Sequence, residues 1–288
     1  MLTKLISTAV RYGSVAGVPT AIPQLTIWTA EAPTDQIPAL FEPEFYLLLQ
    51  GAKRMTIAGQ TFECRAGTCA VASVGLPFTS EVIEASPERP YLGLELKLDA
   101  SIVTSLLLDI PDRTDQQSGA ISISQADDSI VEPLDRLLRL LDAPSEIGIL
   151  APQFERELSY RLLQGPMGSR LRQIGRHSAR FGQIKMAAQW ICENADKPMS
   201  IGWLAASVGM SVTSFHRHFK AVTAHTPLAY QRHIRLLDAR RRLASGSSNV
   251  TATAFATGYA SPSQFSREYK RVFGIAPIRD RDAVRVRQ

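Results

Sequence analysis

An internal repeat near the C-terminus restricts the possible folds of this 288-residue chain more than any other feature. Residues 205–220, followed by Pro227, match residues 254–270, followed by Pro277. Ala and Gly recur at an offset of 49 residues, whereas Ser, Phe, Arg, Lys and Pro recur at 50, because the second copy holds one extra residue. A repeat of this kind predicts two copies of one supersecondary unit.

Each copy has the pattern of two helices joined by a tight turn. Gly209 and Gly258 allow the left-handed backbone that such a turn between steeply crossing helices requires. Ser211 and Ser261 follow as N-caps of the second helix. The buried face of that helix is expected to carry apolar pairs at i and i+4, namely Phe215, Phe219, Phe265 and Tyr269. The two predicted helix-turn-helix motifs cover about residues 201–222 and 250–273.

The outward positions of the second helix are polar or basic in both copies. They are Thr213, His216, Arg217 and Lys220 in the first copy, and Ser263, Gln264, Ser266, Arg267 and Lys270 in the second. A helix with this face suits the DNA major groove, where Arg can bind guanine O6 and N7 and Gln can bind adenine. The alternative is a solvated surface helix, which the duplication disfavours.

A long helix is predicted between the copies, from Pro227 at a first-turn position to about Ala244. At 1.5 Å per residue it is about 25 Å long, so it can hold two recognition helices near one DNA turn apart, about 34 Å. Its arginines are expected to contact phosphate, solvent or Asp238. They are Arg232, Arg235, Arg240, Arg241 and Arg242. Two unequal motifs on one chain predict an asymmetric DNA site.

The charge divides the chain into two parts. Residues 1–165 carry 12 Lys and Arg against 21 Asp and Glu, whereas residues 166–288 carry 20 against 6 and contain all five histidines. A basic C-terminal part predicts a polyanion partner, and double-stranded DNA fits the motifs. Charge alone also fits a nonspecific architectural DNA binder or a solvated basic face. The acidic part should be repelled by DNA, so the two parts have different roles.

The N-terminal part is predicted to be β-rich. Seven short apolar runs lie between residues 25 and 98, and glycines or the corner at residues 75–77 separate them. Strands at about ten-residue spacing are typical of a small antiparallel barrel or sandwich.

From about residue 100 the apolar period becomes helical. One stripe comprises Ile130, Leu134, Leu137, Leu138 and Leu141, and a second comprises Leu150, Phe154, Leu158 and Leu162. Together they predict a helical hairpin that packs on the strands, and that alternatively also joins two chains into a homodimer. Residues 165–169 have a linker composition, and the charge changes sign there. The predicted organisation is an effector and dimerisation domain over 1–165, a linker over 166–180 and a DNA-binding domain over 181–288.

The segment from about residue 184 to 280 resembles the paired helix-turn-helix domain of the AraC/XylS transcription regulators, including the endings at residues 219–220 and 274–277. The resemblance implies that bases are read by Thr213, His216, Arg217, Ser263, Gln264 and Arg267. The first unit departs from the family pattern at Ala224, where Gly is usual, and this bears on the tightness of the turn.

Residues 20–165 resemble the cupin-like effector domain of one AraC-type subgroup. The resemblance rests on residues 42–43, 49–54, Pro77 and 85–91. It implies an α+β two-domain protein: a cupin-like antiparallel β-barrel with a helical hairpin, followed by an all-α, homeodomain-like double helix-turn-helix domain. It further implies an activator that responds to a small-molecule effector and works with RNA polymerase.

Several other functions are disfavoured. The chain has no His before His177, which argues against the imidazole metal site of cupin enzymes, and so against a cupin enzyme tethered to DNA. It has no nucleophile–His–acid set in the barrel, no phosphate-binding Gly loop and no Cys-x-x-Cys pair. We therefore expect no enzyme activity, no metal and no cofactor. No apolar run reaches 18 residues, and three cysteines fit a reducing cytosol, so a cytoplasmic protein without a membrane partner is expected.

Candidate effector residues are less sharply defined. Tyr46, Arg54 and Glu95 are placed in a ligand pocket. Cys64 and Cys69 flank a turn at Arg65 and are either small core residues or a thiol pair that senses electrophiles or oxidants, with Arg65 lowering a thiol pKa. The predicted function is a sequence-specific, effector-responsive regulator; the alternatives are a thiol-responsive regulator and a nonspecific DNA binder.

Overall fold

The strands of the N-terminal part form two antiparallel sheets in a computed structural model, which describes residues 2–14, 17, 19–57, 59–110, 121–175, 179–245 and 249–286. One sheet has the order β1-β8-β3-β6-β9 and the other β2-β7-β4-β5. The strands are β1 (Leu25–Ala30), β2 (Ile37–Phe41), β3 (Glu44–Gln50), β4 (Ala52–Ile57), β5 (Gln60–Arg65), β6 (Thr68–Ala72), β7 (Leu76–Glu84), β8 (Tyr91–Lys97) and β9 (Ile121–Gln125).

The chain passes from one sheet to the other between β3 and β4. Gly51 makes this corner with a φ of 83°, and a Cβ there would lie 2.5 Å from the carbonyl oxygen of Glu84. Pairing shifts by one residue on both sides of the corner, between Leu48 and Gln50 and between Ala52 and Lys53. The two sheets keep separate hydrogen-bond ladders in the described residues, so the expected cupin-like barrel is open rather than closed.

Besides a helix in the expected linker, three described elements were not predicted. They are helix α1 (Leu2–Tyr12), strand β2 and strand β9. Strand β9 lies in a region expected to be helical and pairs with the edge strand β6, from Thr68 opposite Gln125 to Ala72 opposite Ile121. Its five residues alternate between apolar and polar, which is too short a pattern to distinguish from a loop without its partner strand.

The helices of the N-terminal domain cover the first sheet. They are α1, α2 (Ala100–Asp109), α3 (Asp128–Arg139), α4 (Ile147–Gln164) and α5 (Gly168–Gly175). The first apolar stripe is buried on α3 and in the turn that follows it, and the second stripe is buried or half-buried on α4. Both stripes therefore pack inside this chain, as the first of the two alternatives has it, while Leu150 and Phe154 remain partly accessible.

The segment expected to be a linker contains a buried helix. Leu171 and Ile174 on α5 belong to the same apolar core as α2, α3 and α4. Gly175 packs against α2, where a Cβ would lie 2.8 Å from Val103. The sequence signal for this helix was only two apolar residues spaced i, i+3 in a stretch rich in Gly and Arg, which is why the segment was predicted to be a linker. Residues 176–178 of the predicted linker lie outside the described residues.

The C-terminal part is helical throughout its described residues. Its helices are α6 (Ala179–Glu193), α7 (Ile201–Ser207), α8 (Val212–Thr223), α9 (Pro227–Ala244), α10 (Val250–Ala256), α11 (Pro262–Phe273) and α12 (Pro277–Val286). Helices α7 and α8 form the first predicted motif, and α10 and α11 form the second. Helix α9 connects them over the predicted span.

The two units are stabilised by different apolar cores. The first unit contributes Phe215 and Phe219 to a core that continues into the N-terminal domain through Phe41, Leu76 and Phe78; we call it the shared core. The second unit has a separate core, which we call the distal core. It comprises Leu236, Ala239, Leu243, Ala254, Tyr259, Phe265, Tyr269 and Phe273.

Candidate DNA-binding surface and effector cavity

Helix α8 presents the outward face of the first unit. Ser211 caps it by accepting a hydrogen bond from the amide of Ser214 at 3.3 Å. Phe215 and Phe219 are fully buried behind it. Of the predicted DNA contacts, three are exposed and His216 is half-buried, its ring 6.4 Å from that of Phe215. The exposed contacts of this helix are Thr213, Arg217 and Lys220.

Helix α11 presents the equivalent face of the second unit. Ser261 caps it by accepting a hydrogen bond from the amide of Gln264 at 3.4 Å. Phe265 and Tyr269 are fully buried behind it. Ser266 is half-buried, and the remaining predicted contacts are exposed: Ser263, Gln264, Arg267 and Lys270. The apolar pairs therefore place the polar residues of each helix on an accessible face of that helix.

One residue on this surface was not singled out from the sequence. Glu268 accepts hydrogen bonds from Gln264 at 3.3 Å and from the hydroxyl of Tyr259 at 3.0 Å, and it pairs with Arg232 at 3.3 Å. It therefore holds Gln264 and ties the recognition helix to α9. The Gln-x-x-x-Glu spacing was the available signal, because residues four apart meet on one side of a helix.

The arginines of α9 have mainly structural contacts. Arg235 donates to the backbone carbonyls of Ala195, Lys197 and Gly258 at 2.6–3.1 Å. Arg242 pairs with Asp238 at 2.8 Å, one of the outcomes expected from the sequence. The guanidinium of Arg235 is therefore engaged within the chain, whereas that of Arg242 is ion-paired but 47% exposed.

A cavity of about 300 Å³ lies between the two N-terminal sheets. Tyr46 and Glu95, both proposed from the sequence, line it. Glu95 accepts a hydrogen bond from the indole of Trp28 at 2.9 Å, and the hydroxyls of Tyr46 and Tyr91 are hydrogen-bonded to each other. Aromatic and aliphatic groups cover most of the remaining wall, including Ile37, Ala39, Leu40, Phe41, Phe78 and Val82.

Two titratable residues that line the cavity were not predicted from the sequence. The ammonium of Lys53 lies 4.4 Å from the ring centre of Tyr46 and has no ion pair with any described residue. Burial lowers its pKa to about 8. Burial, reinforced by the nearby Glu95, raises the pKa of Glu44 to about 9, so this carboxyl is neutral at pH 7. The cavity thus combines an apolar wall with one cation, which has no ion pair with a described residue but interacts electrostatically with Glu95 and Glu44 of the same wall.

Arg54 lies outside this cavity. It is half-exposed on the other face of β4, next to Lys53, where it pairs with Glu63 at 2.8 Å and with Glu81. Adjacent residues of a strand point to opposite faces, so the prediction of Arg54 was wrong and its neighbour Lys53 lines the cavity instead.

The two cysteines also differ from the predicted thiol pair. Cys64 belongs to the shared core, and Cys69 belongs to the core of the N-terminal helices. Burial raises the pKa of both thiols, that of Cys69 to about 12. Arg65 pairs instead with Glu84 at 3.1 Å. Protonated thiols in separate cores match the alternative of small core residues.

Direct contacts join the cavity domain to the DNA-binding domain. The hydroxyl of Tyr230 on α9 donates to the carbonyl of Gly75 at 3.1 Å. Arg240 on α9 donates to the carbonyl of Gln36, immediately before β2, at 3.1 Å. The same guanidinium pairs with Asp280 of α12 at 2.8 Å. Arg240 therefore connects β2, α9 and the second unit.

These features define a class of protein: a ligand-cavity domain in contact with two tandem helix-turn-helix units. The family model described as "AraC-type transcriptional regulator N-terminus" matches residues 21–170, and the model "Helix-turn-helix domain" matches residues 204–283. The chain belongs to the AraC-type transcriptional regulators, as the sequence resemblance predicted. No helix in the described part of the chain is long and apolar enough to cross a membrane.

Two curated relatives match part of the chain. The HTH-type transcriptional activator RhaS of Pectobacterium atrosepticum is 32% identical over 103 residues, which is 36% of this chain and 37% of RhaS. The probable thc operon regulatory protein of Rhodococcus erythropolis is 28% identical over 159 residues, 53% of this chain and 47% of that protein. The matched segments thus span about a third to a half of these relatives.

Solved structures share the whole two-domain fold. ToxT of Vibrio cholerae O395 bound to (E)-4-(8-methylnaphthalen-1-yl)but-3-enoic acid has a TM-score of 0.58 at 11% identity, covering 91% of this chain and 98% of ToxT. ToxT with a bound unsaturated fatty acid has a TM-score of 0.52 at 10% identity, covering 88% and 92%. At this identity the likeness concerns the fold alone.

Proposed function

We propose that this protein is a sequence-specific transcription activator whose DNA binding responds to a small molecule in the N-terminal cavity. The observation that carries the DNA-binding part is the pair of capped helices, α8 and α11, with buried aromatic backs and exposed polar faces. Because the two faces differ in sequence, one chain reads two different half-sites.

Selection of bound sequences from a random DNA pool, with the purified full chain, tests this part. We expect one enriched, non-palindromic motif whose two halves lie about one helical turn apart. Equal binding to all sequences at a given salt concentration would instead identify a nonspecific architectural binder.

The chemistry of the cavity favours an apolar or aromatic carboxylate as effector. Lys53 offers an ammonium to the ligand, whereas burial holds Glu44 neutral. A bound carboxylate would satisfy this cation, and the apolar wall would bury the remainder of the ligand. The carboxylic acids bound to ToxT support this class by analogy of fold.

Calorimetric titration with (E)-4-(8-methylnaphthalen-1-yl)but-3-enoic acid tests this assignment. Lys53→Met should weaken binding at least tenfold, because it removes the only cation of the described cavity wall. Lys4→Met is the matched control, since Lys4 is exposed on α1 and does not line the cavity. Equal binding by the two variants would contradict a role for Lys53.

Strand β2 is positioned to couple the cavity to the DNA-binding domain. Ala39 and Leu40 line the cavity and also a cleft formed with Ile234, Leu237 and Arg241 of α9. A ligand that favours one position of β2 would favour one position of α9. The coupling proposed here needs no motion of a linker.

Two partners belong to the same proposal. RhaS, described as an activator, supports a contact with RNA polymerase, which transcription from a bound promoter with purified polymerase would test. A homodimer is also proposed, and sedimentation of the chain with and without DNA would test it.

A further inference from the structure

A second cavity, of about 480 Å³, lies between the two domains and is separate from the effector cavity in its chemistry. One wall is the outer side of the second sheet, with Gln36, Thr56 and Thr79. The opposite wall is the end of α8 and the start of α9. Arg271 and Val272 of α11 complete it, so the N-terminal domain and both helix-turn-helix units meet here.

The lining of this interdomain cavity is basic. Lys220 and Arg271 both line it, and neither forms an ion pair with any described residue. His225 and His233 line it as well, with their ring centres 4.9 Å apart. None of the described lining residues is Asp or Glu. Lys220 and Arg271 bring two positive charges to this space without a carboxylate, and the two histidines beside them add charge when they are protonated, so a bound anion would relieve the mutual repulsion of these groups.

The remaining polar groups suit the oxygens of an anion. Thr56 and Thr79 supply hydroxyls from the sheet, and Thr226 supplies one from the opposite wall. Helix α9 begins at Pro227, directly after Thr226, so the positive end of its dipole lies at the same wall. Hydroxyl, guanidinium and ammonium groups together are the donors that typically bind phosphate.

We propose that the interdomain cavity binds a small phosphorylated molecule, at a site distinct from the effector cavity. A free small molecule is favoured over the DNA backbone because a duplex, whose major groove alone is about 12 Å wide, is too large for this volume. Since its contacts come from three parts of the chain, the bound phosphate holds the N-terminal domain and the two DNA-binding units in one relative orientation.

The histidine pair gives the site a proton linkage. Nδ1 of His225 lies 2.9 Å from the carbonyl of Thr223, and Nδ1 of His233 lies 3.0 Å from that of Ala229, so each Nδ1 carries a proton and each neutral ring keeps Nε2 as an acceptor. Burial lowers the pKa of both rings. A bound anion favours the protonated rings and turns each Nε2 into a donor.

The charged groups that face the pair are all cationic. They are Lys220 on α8, Arg232 on α9 and Arg271 on α11, and the described residues of the sheet wall add no charge. Anion binding should therefore be accompanied by proton uptake and should strengthen as the pH falls.

The test is calorimetric titration of the full chain with inorganic pyrophosphate, without DNA and at constant ionic strength. Arg271→Met should weaken binding at least tenfold. Arg279→Met removes the same charge from an exposed position on α12 outside the cavity and should leave binding within twofold. Thr56→Trp fills the cavity from the sheet wall without changing charge and should also weaken binding at least tenfold.

Two results would overturn the proposal. The first is that the wild type shows no saturable binding, which means that there is no site. An equal loss of binding in Arg271→Met and Arg279→Met has the same consequence, because it points to general surface charge. The second is undiminished binding by Thr56→Trp, which places the anion on the open face of the DNA-binding domain. Sulfate, whose charge is constant between pH 6 and pH 8, should bind to the wild type about threefold or more tighter at pH 6 than at pH 8; pH-independent sulfate binding would contradict the role of the histidine pair. None of these measurements depends on sequence-specific DNA binding.

Discussion

The two helix-turn-helix units have the same local design but different attachments to the rest of the molecule. In the first, Phe219 packs against Tyr230 with ring centres 5.4 Å apart, and Tyr230 reaches the N-terminal domain at Gly75. In the second, Phe265 and Tyr269 pack within the distal core, which contains no residue of the N-terminal domain. The units are therefore duplicated in sequence and unequal in context.

This difference assigns separate roles to the two units. A change at the effector cavity reaches the first unit through continuous apolar packing, whereas it reaches the second through α9, the guanidinium of Arg240 and the lining of the interdomain cavity, where Arg271 lies. We therefore expect the N-terminal domain to control the first half-site more strongly than the second.

Truncating one core aromatic in each unit should show the largest contrast. Phe219→Ala and Phe265→Ala should each cost about 3–5 kcal/mol, since both rings are fully buried. Amide hydrogen exchange should quicken from α6 to α9 and in β7 for the first variant, but only from α10 to α12 for the second. Identical exchange patterns would remove the distinction between the shared and distal cores.

Replacing Arg240 should lower the stability of the protein, because this residue connects the second unit to the N-terminal domain. Arg240→Met leaves the nearly buried Asp280 with only the hydroxyl of Tyr269, at 2.7 Å, as a described partner, so a cost of about 2–3 kcal/mol is expected. Guanidinium denaturation of this variant and of Arg242→Met, whose exposed pair with Asp238 is expected to contribute under 1 kcal/mol, provides the comparison. Equal denaturation midpoints for the two variants would show that the contacts of Arg240 do not stabilise the protein more than an exposed ion pair does.

Removing a base contact in one unit should affect only the half of the DNA site that this unit reads. Arg217→Ala and Arg267→Ala should each cost about 1–3 kcal/mol of DNA binding and relax base preference in one half of the site only. Competition binding with single-base operator variants measures both effects. A variant that binds as tightly as the wild type would show that its arginine does not read a base.

The smallest contrast is expected where each recognition helix ends. Ala224 ends α8 with a φ of 61°, whereas Gly274 ends α11 with a φ of 72°, and Ala224 is the sole non-glycine with positive φ in the described part of the chain. Ala224→Gly should stabilise the protein by about 0.5–1 kcal/mol, and Gly274→Ala should destabilise it by about 1 kcal/mol. Thermal unfolding should show shifts of opposite sign; shifts of the same sign would mean that strain at residue 224 is relieved elsewhere.

The sequence was most informative where structure is determined locally. Caps such as Ser211, turn glycines and apolar pairs four residues apart lie within one short segment, so both motifs and α9 could be predicted with their approximate bounds. The departure at Ala224 was also visible, and the structure shows its consequence as a left-handed residue.

The cavity was less predictable because its lining depends on strand register. Lys53 and Arg54 are neighbours, yet the register shift beside Ala52 and the pleat of β4 place only Lys53 inside. Glu44 was not singled out from the sequence, and its burial follows from the packing of the two sheets. The contact of Arg240 with Gln36 joins residues 204 positions apart, and no local pattern encodes it.

Hydrogen exchange in Phe78→Ala tests the central claim most directly. Phe78 lines the effector cavity, stacks on Phe41 with ring centres 3.9 Å apart and belongs to the shared core. The unequal attachment of the two units predicts that truncating it quickens exchange in β2, β7 and α8 while α11 stays at the wild-type rate. Unchanged exchange in α8, or equal acceleration in α8 and α11, would contradict selective coupling of the N-terminal domain to the first DNA-binding unit.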